Sequence, residues 1–575
     1  MENDNIRQKW QDRLSKARSQ YKTVLDKMSE YNRYYEGTRK SQDNPNKGAP
    51  KAVRLSANVR NICYELVESQ VDSTIPMPRV DAIHEEDREL AKSIEAVLRH
   101  EVVSQNLAEM NDLQERTVPI DGGSFWHIEW NPKAGGHCVL GDAQVTELHP
   151  KQVIPQPGVY DVEKMDYIFV QIAQTKEHIK ERYGVDVEAC GETEPSIRGD
   201  DSAISDELVT QNIAYYRNKQ GGIGIFSWVD DVTLVDMEDF QARRLEKCVS
   251  CGRVRDGDVC ECGGTKFEEQ PVYFDEANIP YYNPGRYPVI LRRNVRKADS
   301  FLGSSDIAAI MDQQDAVKKF GDKISEKILK GGSFVTLPKG VRVETTDKEF
   351  KTVYLDNPAQ KAQIGVINVQ PDVSKEIQAL ELNYQWAKST LGITDSFQGK
   401  YDSSATSGTA KQFAANQSAG RLQSKREQKN QSFARLYEMI FRYLLAYSDQ
   451  PIPYSVKQPD GSRIYSHFNR MDFLKRDNAG QYYWNDEFIF TVDASANLAT
   501  TRSMLWDQLD TMYQAGAFGA IGQNQTNLLL WTMLADSGYP YAENIKAMIE
   551  SQIQQEVRMN ALPEMQTGNE NEQPV

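Results

Sequence analysis

The stretch SSDIAAIMDQQDAVKKFGDKISEKILKGG, residues 304–332, decides how this chain is read. Ser304 or Ser305 can cap a helix, because a hydroxyl satisfies a free N–H of the first turn. Ile307, Ile310, Val317, Phe320, Ile324 and Ile328 then recur at helical spacing, which predicts a helix to about Lys330. Gly331-Gly332 stops it. Residues 333–369 read as short strands and turns, and 372–391 as a second helix ended by Gly392. A polar loop rich in Gly, Ser and Thr follows over 393–408, and then a helix of unusual length, from about Ala405 to Tyr447.

That long helix is asymmetric. Its first half, through Arg421, Lys425, Arg426 and Lys429, has Phe413 and Leu422 as its large apolar residues. Its second half carries Phe433, Leu436, Tyr437, Ile440, Phe441, Leu444 and Leu445. A polar half is expected to stay out of its own subunit's core, so it should bridge, pack against other copies or line water.

Upstream, residues 5–36 read as a helix with Trp10, Leu14, Ala17, Tyr21, Leu25 and Met28 on one face, stopped by Gly37. Residues 38–52 read as an exposed loop. Residues 58–73 predict another helix, broken by Ile75-Pro76-Met77-Pro78, and 85–112 a single long one. From Asp121 to Val170 the period becomes two, with Phe125, His127 and Glu129 alternating with Trp126, Ile128 and Trp130. Runs around Ile213–Tyr216 and Gly224–Phe226, joined by Gly221-Gly222, predict a hairpin. Residues 449–498 return to strand-like pattern, 498–559 read as three short helices, and 560–575 as a disordered tail. The fold class is therefore α+β.

With 575 residues, two to four structural units are expected. A composition of 39% hydrophobic and 26% charged residues suits a folded, polar-surfaced protein. The net charge of -16 argues against a sequence-specific DNA binder, which carries a basic domain. It leaves room for a conduit that repels phosphate and lets DNA slide. The polar N-terminus has no apolar segment of a secretory signal, and no run of 18 apolar residues exists, so synthesis in the cytoplasm without a membrane partner is expected.

Of seven cysteines, Cys63, Cys138 and Cys190 are scattered, whereas Cys248, Cys251, Cys260 and Cys262 sit together, which is not a secreted disulfide framework. Cys248-Val249-Ser250-Cys251-Gly252 has knuckle spacing, and Cys260-Glu261-Cys262-Gly263-Gly264 supplies two more thiols with one intervening residue where ribbons usually have two. Four thiolates on two turns suit a structural zinc ion in tetrahedral coordination. The bland alternative is four reduced thiols on a surface hairpin.

Enzyme signatures are otherwise missing. No GxxxxGK[ST] loop is present, so no nucleotide cofactor is expected. His84-Glu85-Glu86 lacks a second histidine, and Gly221-Gly222-Ile223-Gly224 reads as a turn, not a dinucleotide loop. No catalytic residues are assigned. Lys319, Lys323, Lys327 and Lys330 form a basic stripe that is either a solvated face paired with Asp322 and Glu326 or a ring of charge near passing DNA. Gln398 and Lys400, with the Ser/Thr run at 403–409, are either flexible loop or further contacts to a channel's contents.

The order of these pieces resembles the tailed-bacteriophage portal family. The resemblance rests on Tyr34-Tyr35-Glu36-Gly37, on Asn58-Val59 through Val71-Asp72 with Pro76-Met77-Pro78, and on Ser305-Asp306-Ile307 to Gln313-Gln314-Asp315-Ala316. It continues in Gly392-Ile393-Thr394-Asp395, in Ala405-Thr406-Ser407-Gly408-Thr409-Ala410 and in Gln417 to Leu422. It implies a wing over 1–300 and 449–498, with the cysteine cluster as an insertion at 245–266. Stem helices would span 301–332 and 372–391, with a clip at 333–371 between them. A tunnel loop and long helix would occupy 392–448, and a crown 499–559. It also implies a homo-oligomeric ring, usually a dodecamer, at the portal vertex of a virion capsid. Double-stranded DNA would pass through it without sequence reading during packaging and ejection. Terminase large subunit, major capsid and scaffolding proteins and a head–tail adaptor would be its partners. A zinc-ribbon nucleic-acid-processing enzyme and another head–tail structural protein are the competing readings.

Overall fold

The computed structural model describes residues 2–37, 60–134, 141–188, 208–255, 259–275, 277–339, 342–343, 353–355, 357–369, 371–393, 408–457, 463–493, 506, 509–520, 522–536, 539 and 541–560. Its helices are α1 (Glu2–Glu36), α2 (Ile62–Glu68), α3 (Arg88–Ser104), α4 (Leu107–Asp121), α5 (Lys176–Tyr183), α6 (Asp306–Lys330), α7 (Ser374–Leu391), α8 (Gly408–Tyr447), α9 (Asn524–Asp536) and α10 (Ala542–Asn560). Helices and antiparallel sheets alternate along the chain, which is the α+β class expected.

The strand Gly123–Asn131 is central. It pairs with Val289–Arg293 on one side and Asp142–Leu148 on the other. Its alternation does not separate a wet face from a dry one, because both faces are buried. Phe125 enters a core with Leu148, Leu291, Trp10, Leu14, Ala17, Tyr21 and Met28 of α1, and the five-stranded sheet. Trp126 and Ile128 enter a second core with α3 and the apolar half of α8. The five-stranded sheet runs Val153–Pro155, Tyr167–Thr175, Leu208–Arg217, Ile223–Val229, Val232–Met237, and contains the expected hairpin turn at Gly221-Gly222. Gly221 has φ +88°, a conformation open to glycine at little cost.

A third core joins α2, α6 and α7 through Ile62, Leu66, Val67, Ile307, Ile310, Val317, Tyr384 and Ala387. Ser305 caps α6: its Oγ accepts from the Ala308 N–H at 3.2 Å and donates to the Ile120 carbonyl of α4. Past Lys330 the chain enters Gly332–Thr336, which pairs antiparallel with Gly365–Val369 just ahead of α7, so α6 and α7 form a hairpin closed by a β-ribbon. Arg342–Val343 and Val353–Tyr354 pair beyond it. Gly331 is required by contact, since a Cβ there would lie 2.6 Å from Pro371 Cδ. At the other end Gly392 ends α7 with φ +75°.

Several expectations need correction. The helix foreseen over 85–112 is a short 3₁₀ turn followed by α3 and α4, separated at Gln105-Asn106. Asn106 takes φ +50°, a conformation asparagine tolerates better than most residues. The helix foreseen over 58–73 is confined to α2 among its described residues. The three short helices expected over 498–559 do appear among the described residues, as a helical stretch at 509–514 followed by α9 and α10, around a small core of Leu509, Leu530, Leu534 and Ala542. The loop foreseen at 38–52 and the tail at 561–575 lie outside the described residues. No described helix is long and apolar enough to cross a membrane.

Candidate functional site

The strands Arg243–Cys248 and Phe267–Val272 pair antiparallel, with Cys248 opposite Phe267. This brings both ends of the cysteine-bearing segment together. Gly252 and Gly263, at φ +74° and +82°, let the two turns close. The Gly252 N–H donates to the Cys248 carbonyl and the Gly263 N–H to the Cys260 carbonyl. The Sγ atoms of Cys248 and Cys262 lie 3.5 Å apart and those of Cys251 and Cys260 3.4 Å apart, and all four fall within 4.8 Å of one another.

Tetrahedral zinc with Zn–S bonds of about 2.3 Å needs S···S separations of roughly 3.8 Å, so this donor set fits. None of the four is in a disulfide. Backbone N–H groups of Ser250, then Cys251, hold the Cys248 thiol down to about 6. Gly264 completes the cradle: a Cβ there would lie 2.8 Å from Cys248 Sγ and 3.4 Å from Cys262 Sγ. The four thiols thus form a group able to hold a metal ion. Cys248 and Cys260 are buried while Cys251 and Cys262 face solvent.

The lysine stripe on α6 divides. Lys319 and Lys323 are exposed. Lys323 and Lys327 both reach Glu376 on α7, at 3.1 and 2.7 Å, and Lys327 also donates to the Asp372 carbonyl. Hydrogen bonds from Lys327 and Lys323 bring the Glu376 carboxyl down to about 2. Sequence reasoning placed the countercharges of this stripe on α6 itself and missed Glu376, which lies 49 residues beyond Lys327. The Lys330 side chain, Gln398 and Lys400 lie outside the described set.

The polar half of α8 is also corrected from Leu422 onward. Lys429 has 3% side-chain exposure and sits 2.9 Å from Glu115 of α4, with Asp72 3.7 Å away. Arg292 meets the same Glu115 oxygen, Oε1, at 2.5 Å. Lys425 pairs with Asp306, in the first turn of α6, and donates to Gln70. Burial depresses the Lys429 ammonium, and Arg292 adds to this, while Glu115 and Asp72 oppose it. Lys429 is buried and Lys425 half-buried within their own subunit because carboxylates from α4, α6 and the chain after α2 await them, a long-range match that helical periodicity does not register.

Comparison with known proteins bears on the segment that holds α7, α8 and the C-terminal helices. Residues 339–575 match the phage P22-like portal protein family. The resemblance to portal proteins read from the sequence is borne out over these residues. The cysteine cluster and α1 lie outside the portal match. Among solved structures, a chain of the "Virion of native gene transfer agent (GTA) particle" aligns over 82% of this chain and 89% of its own, with TM-score 0.34 and 8% identity. No curated protein matches.

Proposed function

We propose that the chain is a portal subunit: a non-enzymatic protein that forms a ring, twelvefold in the family's usual form, at one vertex of a virion capsid. The observation that carries this reading is the portal-family match over residues 339–575. The α6–α7 hairpin, closed by a small β-ribbon and followed by the long α8, is consistent with it. In this reading residues 301–332 and 372–391 are stem helices, 333–371 the clip and 392–448 the tunnel loop and long helix. Residues 1–300 and 449–498 form the wing, and 499–559 the crown. Double-stranded DNA passes through the ring during packaging and ejection. Terminase large subunit and then a head–tail adaptor dock on the clip, while capsid and scaffolding proteins surround the wing.

The roles in the conduit are mechanical and electrostatic. Gln398 and Lys400 touch the DNA backbone without reading sequence. Lys319, exposed on α6, is the described lysine of the stripe best able to face DNA, because Lys323 and Lys327 are engaged by Glu376. The metal held by Cys248, Cys251, Cys260 and Cys262 is zinc with a structural role, since all four tetrahedral positions are filled by thiolate and none is left for substrate.

Negative-stain electron microscopy of the purified full-length protein tests the ring. Annular particles with a central hole are expected; compact monomers that hydrolyse nucleic acid overturn the reading. Deleting residues 396–404 tests the conduit role. Impaired packaging or loss of the packaged genome is expected, and unimpaired packaging and retention overturn it.

A further inference from the structure

A cleft lies where α8 crosses α4 and the strand Val289–Arg293. Its lining includes Glu115, Arg292, Arg293, Asn294, Lys425 and Arg426. Its volume is about 70 Å³, room for a few waters or for a single small oxyanion.

The charges around it do not balance. Arg292, Lys425 and Lys429 face Glu115, Asp306 and Asp72, three cations to three carboxylates. Arg293 and Arg426 remain. Arg293 donates to the carbonyls of Phe301 and Tyr160, which are neutral partners. Neither arginine forms an ion pair with a described carboxylate. With Asp161 near Arg293 as the one further described acidic group acting on the pair, the cleft still carries surplus positive charge, centred on Arg426, in a chain whose net charge is -16. Burial lowers the Arg293 guanidinium and Arg296 and Arg435 add to this, while Asp161 opposes it, so a bound anion would add to the relief that Asp161 gives.

We propose that this cleft binds a phosphate-class oxyanion between Arg293 and Arg426, with Asn294 and Lys425 on its border. Guanidinium groups present planar forks of donors that match the oxygens of such an anion, and two forks approaching from different elements suit a tetrahedral ligand better than a planar carboxylate. The chemistry is shared by free phosphate and by a nucleic-acid phosphodiester. The narrowness of the cleft favours the free ion, because a duplex backbone brings its sugars along. Bound there, the anion would tie α8 to the strand Val289–Arg293.

Equilibrium dialysis of the full-length protein against labelled inorganic phosphate, at constant ionic strength, tests this. Saturable binding of one phosphate per chain is expected, with a Kd on the order of 1 mM, about -4 kcal/mol. R426Q should weaken it at least tenfold. That variant keeps the fold because Arg426 is half-buried and has no described ion pair, and unchanged circular dichroism verifies it. R476Q, exposed on the strand Leu474–Arg476 and outside the cleft's lining, should leave binding intact. Absence of saturable binding up to about 10 mM overturns the proposal. So does equal weakening in R476Q, which would signify diffuse charge. Binding of a short duplex without binding of inorganic phosphate also overturns it, and would transfer the patch to DNA.

Discussion

Lys327 and Glu376 join α6 to α7 at 2.7 Å, one turn from the point where both helices meet the β-ribbon. The hairpin is thus fastened by charge at the end where its apolar core has run out, since the last buried residue of that core on α6 is Val317.

Glu376→Gln removes the acceptor of two lysines and should lower the thermal midpoint at pH 7 by a few degrees. The folded carboxyl is depressed to about 2 from its ordinary value of 4.5. Its contribution is therefore present above the unfolded value and lost as pH falls through the folded one. The gap between wild type and variant should close between pH 4 and pH 2, as followed by thermal unfolding monitored by circular dichroism.

Gly331→Ala places a methyl group 2.6 Å from Pro371 Cδ. The φ of Gly331, -74°, is open to alanine, so any loss arises from the clash and not from backbone strain. A cost of about 1–3 kcal/mol is expected, with increased proteolysis between residues 331 and 371 as the readout.

Glu101 is buried at 3% exposure, and its carboxyl is raised to about 7 by burial and then by Asp142. A raised acid binds its proton more tightly when folded, so stability falls as pH rises from the unfolded value through about 7. Glu101→Gln keeps an acceptor for Ser104 and Gln105 without the charge. It should stabilise the protein at pH 8 by roughly 1–3 kcal/mol, an upper range set by ~1.4 kcal/mol per pKa unit, and have little effect at pH 4.5. Urea unfolding at the two pH values separates these cases.

Cys251→Ser removes one thiolate from the four-sulfur group. Metal content measured by mass spectrometry should fall from one ion per chain to near zero, and the two-stranded ribbon should lose hydrogen-exchange protection while α8 keeps its own. Unchanged metal content would show that the ligand set is wrong.

Lys429→Met leaves Glu115 with Arg292 as its partner and exposes the imbalance of a buried charge group. A loss of about 3–5 kcal/mol is expected. A double-mutant cycle with Asp72→Asn, which removes the carboxylate left short while Glu115 keeps Arg292, should recover part of it.

The local elements were largely legible. The cap at Ser305, the stops at Gly37 and Gly392, the face of α1 and the turn at Gly221-Gly222 all follow from rules acting over a few residues. The four thiols were legible because their spacing along the chain is short. What escaped was set by distant partners. By patterning alone Lys425 and Lys429 are expected to bridge, meet other copies or line water, whereas Asp306, Glu115 and Asp72 of their own chain meet them. The break at Asn106 escaped because the sequence around it offers no glycine or proline. The double burial of Gly123–Asn131 was hidden behind an alternation that usually signals one wet face.

That strand has a wider consequence. Phe125 belongs to one core and Trp126 to the other, on adjacent residues of a shared backbone. A slip of one position would exchange the two aromatic rings between cores shaped for the opposite neighbour, so register is locked from both sides at once. Neither core can then open while the other stays shut. A force or a fluctuation arriving at α1 is felt beneath α8, and the two halves of this region behave as a single cooperative body whose amides should exchange with solvent together.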